Sequence, residues 1–119
     1  MIEQIVYEYL ASYFDNDVPV YMMRPDDQNP EMTTFIVLEK TGSSSENHLH
    51  TATIAVQSYA PTLYEAALLN ERVKQAMAES ITLNDITRCD LNGDYNFTDI
   101  ESRRPRYQAV FDITHYERG

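Results

Sequence analysis

The sequence predicts a single α+β domain: two helices packed on a mainly antiparallel sheet, with elements in the order α-β-β-β-α-β-β. Three observations predict it. The chain has 119 residues, the size of one domain with one core, and shows no internal repeat, so residues 1–119 read as one unit. Apolar residues recur with a helical period in two stretches and with a strand period in the others. The strands follow one another closely enough to pair as hairpins and meanders, which favours antiparallel pairing over the crossovers of a parallel sheet.

The opening helix rests on Ile2, Ile5, Val6, Tyr9, Leu10 and Tyr13 at helical spacing, with Glu3, Gln4 and Glu8 on the other face. It should end near Asp15-Asn16-Asp17, a turn-rich cluster, and Pro19 cannot continue it. Val18 to Met23 is a short extended run. Residues 24–30 are polar, contain Pro25 and Pro30, and read as a loop. Thr33 to Thr41 is rich in β-branched and aromatic residues and predicts a buried strand. The run from Gly42 to Asn47 has the composition of a flexible connector. From His48 to Tyr59, apolar Ala52, Ile54 and Val56 alternate with Thr51, Thr53 and Gln57, the period of a half-exposed strand that closes a hairpin on its predecessor.

Thr62 followed by Glu65 is the signature of a capping box, so the second helix starts there and runs to about Ser80. Its expected buried stripe is Leu63, Ala66, Ala67, Val73, Ala76 and Met77. Ile86 to Leu91 predicts a strand. Arg106 to Glu117 predicts the clearest one, with Tyr107, Ala109, Phe111 and Ile113 on one face and Gln108, Asp112 and Thr114 on the other.

Composition narrows the function classes. Hydrophobic residues make up 43%, enough to fill a core. The only cysteine, Cys89, excludes an intrachain disulfide and a multi-cysteine zinc site. The apolar runs are too short to span a bilayer, and the first residues carry acids where a signal peptide has basic residues, so a soluble protein of a reducing cytoplasm is expected. The formal net charge of -10 repels nucleic acid and anionic lipid, which does not exclude DNA passing by without sticking. Three glycines cannot build a glycine-rich phosphate cradle. There is no nucleophile elbow or dinucleotide fingerprint, so no catalytic, cofactor-binding or metal residue is assigned and the chain is read as a non-enzyme.

Four constellations stand out. Residues Asp90 to Glu101 place oxygens at positions 1, 3, 5, 9 and 12 of a calcium loop, the spacing that wraps one hard cation. Tyr95, however, occupies the position that needs glycine, and Pro105 follows where an exiting helix belongs, so a strand, an Asn92-Gly93 turn and an exposed loop are favoured. A small calcium-dependent binding module remains the alternative function. His48, His50, Cys89 and His115 are potential zinc ligands, but nothing in the sequence places Cys89 or His115 beside the other two. The acids Asp26-Asp27 and Asp15/Asp17 sit in turns with no apolar pocket to raise a pKa. Among nine tyrosines, Tyr7, Tyr9, Tyr13, Tyr59, Tyr64, Tyr107 and Tyr116 lie on expected elements and together suggest an interface.

The leading helix, the VPVYMMRPDDQNP segment, the pair TFIVLEKTG and HTATIAVQSYA, the alanine-rich TLYEAALLNERVKQAM and the closing RYQAVFDITHY together resemble the tail terminator and tail-completion proteins of long-tailed bacteriophages, including small head-tail joining proteins. The resemblance covers nearly the whole chain and is carried by layout and by AVQSYAPTLYEAA and RYQAVFDI, none of them a catalytic signature. It implies an α+β protein that assembles as a ring, typically hexameric. Such a ring caps the tail tube, meets the head connector and passes DNA through an acidic lumen. It also implies a life in the host cytoplasm during assembly and then in the virion. It transfers no site residue.

Overall fold

The computed structural model describes residues 1–15, 17–23, 34–46, 49–98, 100 and 103–116. The elements are α1 (Ile2–Phe14), β1 (Val20–Tyr21), β2 (Phe35–Glu46), β3 (Leu49–Tyr59), α2 (Leu63–Glu79), a 3-10 turn (Ser80–Thr82), β4 (Ile86–Asn96) and β5 (Arg106–Tyr116). The expected order α-β-β-β-α-β-β and the α+β class hold. One five-stranded sheet has the order β1-β2-β3-β5-β4. Its long strands pair antiparallel, and β1 adds two parallel pairs, Val20 with Ile36 and Tyr21 with Val37. Because β5 returns between β3 and β4, the clearest strand of the sequence is central and is covered by a neighbour on each side.

Both helices pack on one face of this sheet. Ile2, Val6, Leu10 and Phe14 of α1 and Leu69, Val73, Ala76 and Met77 of α2 join Ile36, Leu38, Ala52, Ile54, Val56, Ala109, Phe111 and Ile113 in one core. The alternation of β3 and β5 sends these strand residues to the helix side, and the intervening ones to the other face. Among the described residues, that second face carries a small cluster, Phe35, Val37 and Tyr59, edged by Tyr21.

The helices depart from the expected faces in detail. In α1 the buried stripe is a strict four-residue repeat, so it ends on Phe14 and leaves Tyr13 exposed. The Arg72 guanidinium lies 4.9 Å above the Phe14 ring and closes that end of the core. Asp15 then stops α1 in a left-handed conformation (φ 40°), which Asp tolerates better than most residues. In α2 the Thr62 hydroxyl accepts the Glu65 N–H at 3.1 Å and donates to the Glu65 carboxylate at 3.0 Å, so the expected cap is present. Its buried stripe is rotated from the expected one. Leu63 is exposed and Ala67 half-buried, while Leu69 and Asn70 turn inward with Ala66, Val73, Ala76 and Met77. Positions 66, 69, 70, 73, 76 and 77 keep the helical spacing; what sets the rotation is the position of the sheet.

Two expected breaks are strand instead. The run from Gly42 to Glu46 is the second half of β2 and pairs with Leu49 to Thr53; the connector shrinks to residues 47 and 48, which lie outside the described residues. Ladder hydrogen bonds come from the backbone, so a serine run pairs when its partner strand is long enough. Likewise β4 does not turn at Asn92-Gly93. It absorbs Asn92 as a bulge between Leu91 and Gly93 and continues to Asn96.

Candidate interaction surface

The face of the sheet away from the helices has no element over β3 and β5 among the described residues. Its polar groups are paired with one another in two rows across the strands. In the first, Gln57 donates to Gln108 at 2.9 Å and Gln108 donates to the Tyr95 hydroxyl at 2.5 Å. In the second, Thr53 donates to one oxygen of Asp112 at 2.9 Å and Asn92 donates to the other at 3.0 Å. Asn92 reaches Asp112 because alternation from Leu91, which faces the helices beside Phe111, puts Asn92 on the face of Asp112. The result is a firm, mostly uncharged surface whose internal hydrogen bonds do not depend on a partner.

One end of this face is capped by arginine over aromatic rings. Arg106 lies 4.3 Å above the Phe97 ring and 5.5 Å above the Tyr59 ring, and donates to the Phe97 carbonyl at 2.6 Å and the Tyr59 hydroxyl at 2.9 Å. Arg104 lies 5.7 Å above Phe35, which stacks on Tyr59 with centroids 4.4 Å apart. Edge strands bound the sheet on both sides. Strand β1 covers only Ile36 and Val37, so β2 from Leu38 onward has no strand on its outer edge among the described residues, and neither does β4. Register shifts at Lys40/Gly42, Ile86/Arg88 and Leu91/Gly93 interrupt both edges.

The helix layer is acidic. Its cations are committed: Arg72 to Asp17 at 2.6 Å, and Lys74 to Glu71 at 2.7 Å and Asp94 at 3.2 Å. The Glu71 hydrogen bond is the main cause that holds Lys74 above the usual lysine range. Tyrosines tie the two helices together. Tyr9 donates to the Ala76 carbonyl at 2.6 Å, and burial, aided by the Glu79 charge, pushes its pKa up to about 12. Tyr13 donates to Glu79 at 2.8 Å, and that bond raises its pKa. The expected tyrosine interface therefore divides. Tyr59 is core, Tyr9 and Tyr13 serve the helix pair, and Tyr64 and Tyr116 point outward together with Tyr95, which was not among the expected set.

The sequence's other constellations are dispersed. The calcium spacing needs one turn of loop, but residues 90–96 are extended. Asp90 pairs with Arg88 on one face, Asp94 with Lys74 on the other, and Asn92 with Asp112; Asp99 and Glu101 lie outside the described residues. Of the potential zinc ligands, Cys89 is on β4 opposite Ile113, with its thiol pushed up by burial and so poorly nucleophilic. His48 lies outside the described residues. His50 and His115, however, are direct cross-strand partners, which no local signal in the sequence discloses. Among the described residues, no group of three or more His, Cys, Asp or Glu converges on a metal position. The acids 26 and 27 also lie outside, while Asp17 pairs with Arg72.

Beside α1 two clefts open. One of about 670 Å³ is lined by Ile5, Glu8, Tyr9, Leu83, Asp85 and His115 among others, and one of about 470 Å³ by Glu3, Lys40, the Ser43–Ser45 run, His50 and His115. No helix among the described residues is long and apolar enough to cross a membrane. No protein-family model matches this chain, and no curated protein matches it.

Proposed function

We propose that this chain is a non-enzymatic structural protein of a phage neck or tail end, which works by assembling into a ring that terminates the tail tube and meets the head connector. The observation that carries the reading is the pair of unlike sheet edges, β2 from Leu38 onward on one side and β4 on the other, neither with a further strand on it among the described residues. Unpaired backbone amides on an edge are docking surfaces for another strand. Because the two edges differ, contact between them is head-to-tail, and head-to-tail contacts make a ring when the rotation between copies closes and an open filament when it does not. The bulges in each edge oppose open-ended strand addition, so a copy stays single until it is held at the correct geometry. The formal net charge of -10 acts the same way in solution, and in a ring gives DNA a lumen it can slide through without adhering.

The test is solution mass together with negative-stain images, at low and high concentration and in about 0.1 M and 1 M salt. Salt screens the like charge between copies, so rings should form with rising concentration and rising salt. A chain that stays monomeric under all four conditions and is missing from purified phage particles would refute the proposal.

A further inference from the structure

We propose that His50 and His115 form a two-imidazole site for a borderline transition-metal dication such as Cu2+, Ni2+ or Zn2+, with water completing the coordination. The two residues face each other directly across β3 and β5, on the helix side of the sheet. Their ring centroids are 5.6 Å apart and the planes differ by 28°. Two imidazoles sharing one dication, at ~2.0–2.1 Å per nitrogen, need centroids roughly 5 Å apart. The observed spacing is close to that, and rotation about the broad terminal torsion of each histidine aims one nitrogen of each ring at a common point. The strand backbones hold the pair, so little ordering is left for the metal to impose.

The surroundings suit a solvated metal. His115 is only 8% exposed, yet both rings line the 470 Å³ cleft and His115 also lines the larger one, so ion and water have access. Ser45 continues the same cross-strand row from β2, opposite His50. Both rings hold other interactions as well. An imidazole has two nitrogens, and a partner on one is the usual way to orient the other towards a metal. Carboxylates that could neutralise the ion flank the pair at Glu3 and Glu8, with Asp85 on the turn before β4 and Lys40 opposing them. With two protein donors the site is open, and the order of affinity follows the donor chemistry, copper above nickel and zinc.

The experiment titrates the full chain with NiCl2, followed by calorimetry and by the histidine ring signals in NMR. Expected are saturable binding of one equivalent, first effects on the His50 and His115 rings, tighter binding of CuCl2, and weakening as acid protonates the imidazoles. His50→Gln and His115→Gln should each weaken binding at least tenfold. His115 is buried, so the half-exposed His50 provides the decisive variant, and circular dichroism checks that each variant is folded. Absence of saturable binding, or binding kept unchanged in the folded His50→Gln variant, overturns the assignment.

Discussion

Phe111→Ala is the sharpest probe of the core. Phe111 sits mid-way along β5, 2% exposed, between Ile54 of β3 and Leu91 of β4, on the face that carries both helices. A buried phenylalanine removes about 150–200 Å² from water. At about 25 cal/mol per Å², the ring contributes about 3–4 kcal/mol after the retained Cβ is allowed for. The central strand is held by a neighbour on each side, so the cavity cannot collapse fully and adds to the cost. The expected loss is therefore about 3–5 kcal/mol. Against a typical total of about 5–15 kcal/mol this leaves a folded but weakened protein, with a melting temperature lower by about 10–20 °C. Urea titration followed by circular dichroism measures it, with the slope of the transition checking that both forms unfold alike. Val110→Ala is the control, because Val110 is on the other face and only half-buried; it should cost about 1 kcal/mol or less. A Phe111→Ala loss under about 1 kcal/mol with an unchanged slope would refute the assignment of faces.

Tyr9 supplies a pH dependence. Its pKa is raised in the folded state to about 12, so the stability it contributes is fully present below pH 10 and is lost as pH rises towards 12. Stability should fall across that window by on the order of 1 kcal/mol from this group, after allowance for solvent screening; Tyr9→Phe should remove that part of the fall, and an unchanged alkaline profile would count against it. Calcium should produce no saturable heat in the micromolar range of sensor sites, because the strand sends Asp90 and Asp94 to opposite faces. A stoichiometric micromolar site abolished by Glu101→Gln would restore the calcium-module reading.

The acidic helix layer and the largely neutral sheet face divide the molecule's surface into two kinds. On the helix side, Arg72 and Lys74 are each held by acids, and the remaining carboxylates leave a field that repels polyanions. On the sheet side, Gln57, Gln108, Thr53 and Asp112 already have partners, so a neighbour could be received without stripping unpaired groups of water.

By itself the sequence determined whatever depends on near neighbours along the chain. The Thr62–Glu65 cap, the helical repeat of α1 and the alternation of β5 are set by contacts within a few residues, and each is in place. What only the tertiary structure decided depends on a partner distant in sequence. A glycine-serine run becomes strand because β3 is long enough to pair with it, and Asn92-Gly93 becomes a bulge because β5 carries the ladder past it. The α2 stripe turns towards Leu69 and Asn70 because the sheet lies there. His50 and His115, separated by most of the second half of the chain, meet because β5 inserts beside β3, and strand register is a property of two segments that neither contains alone.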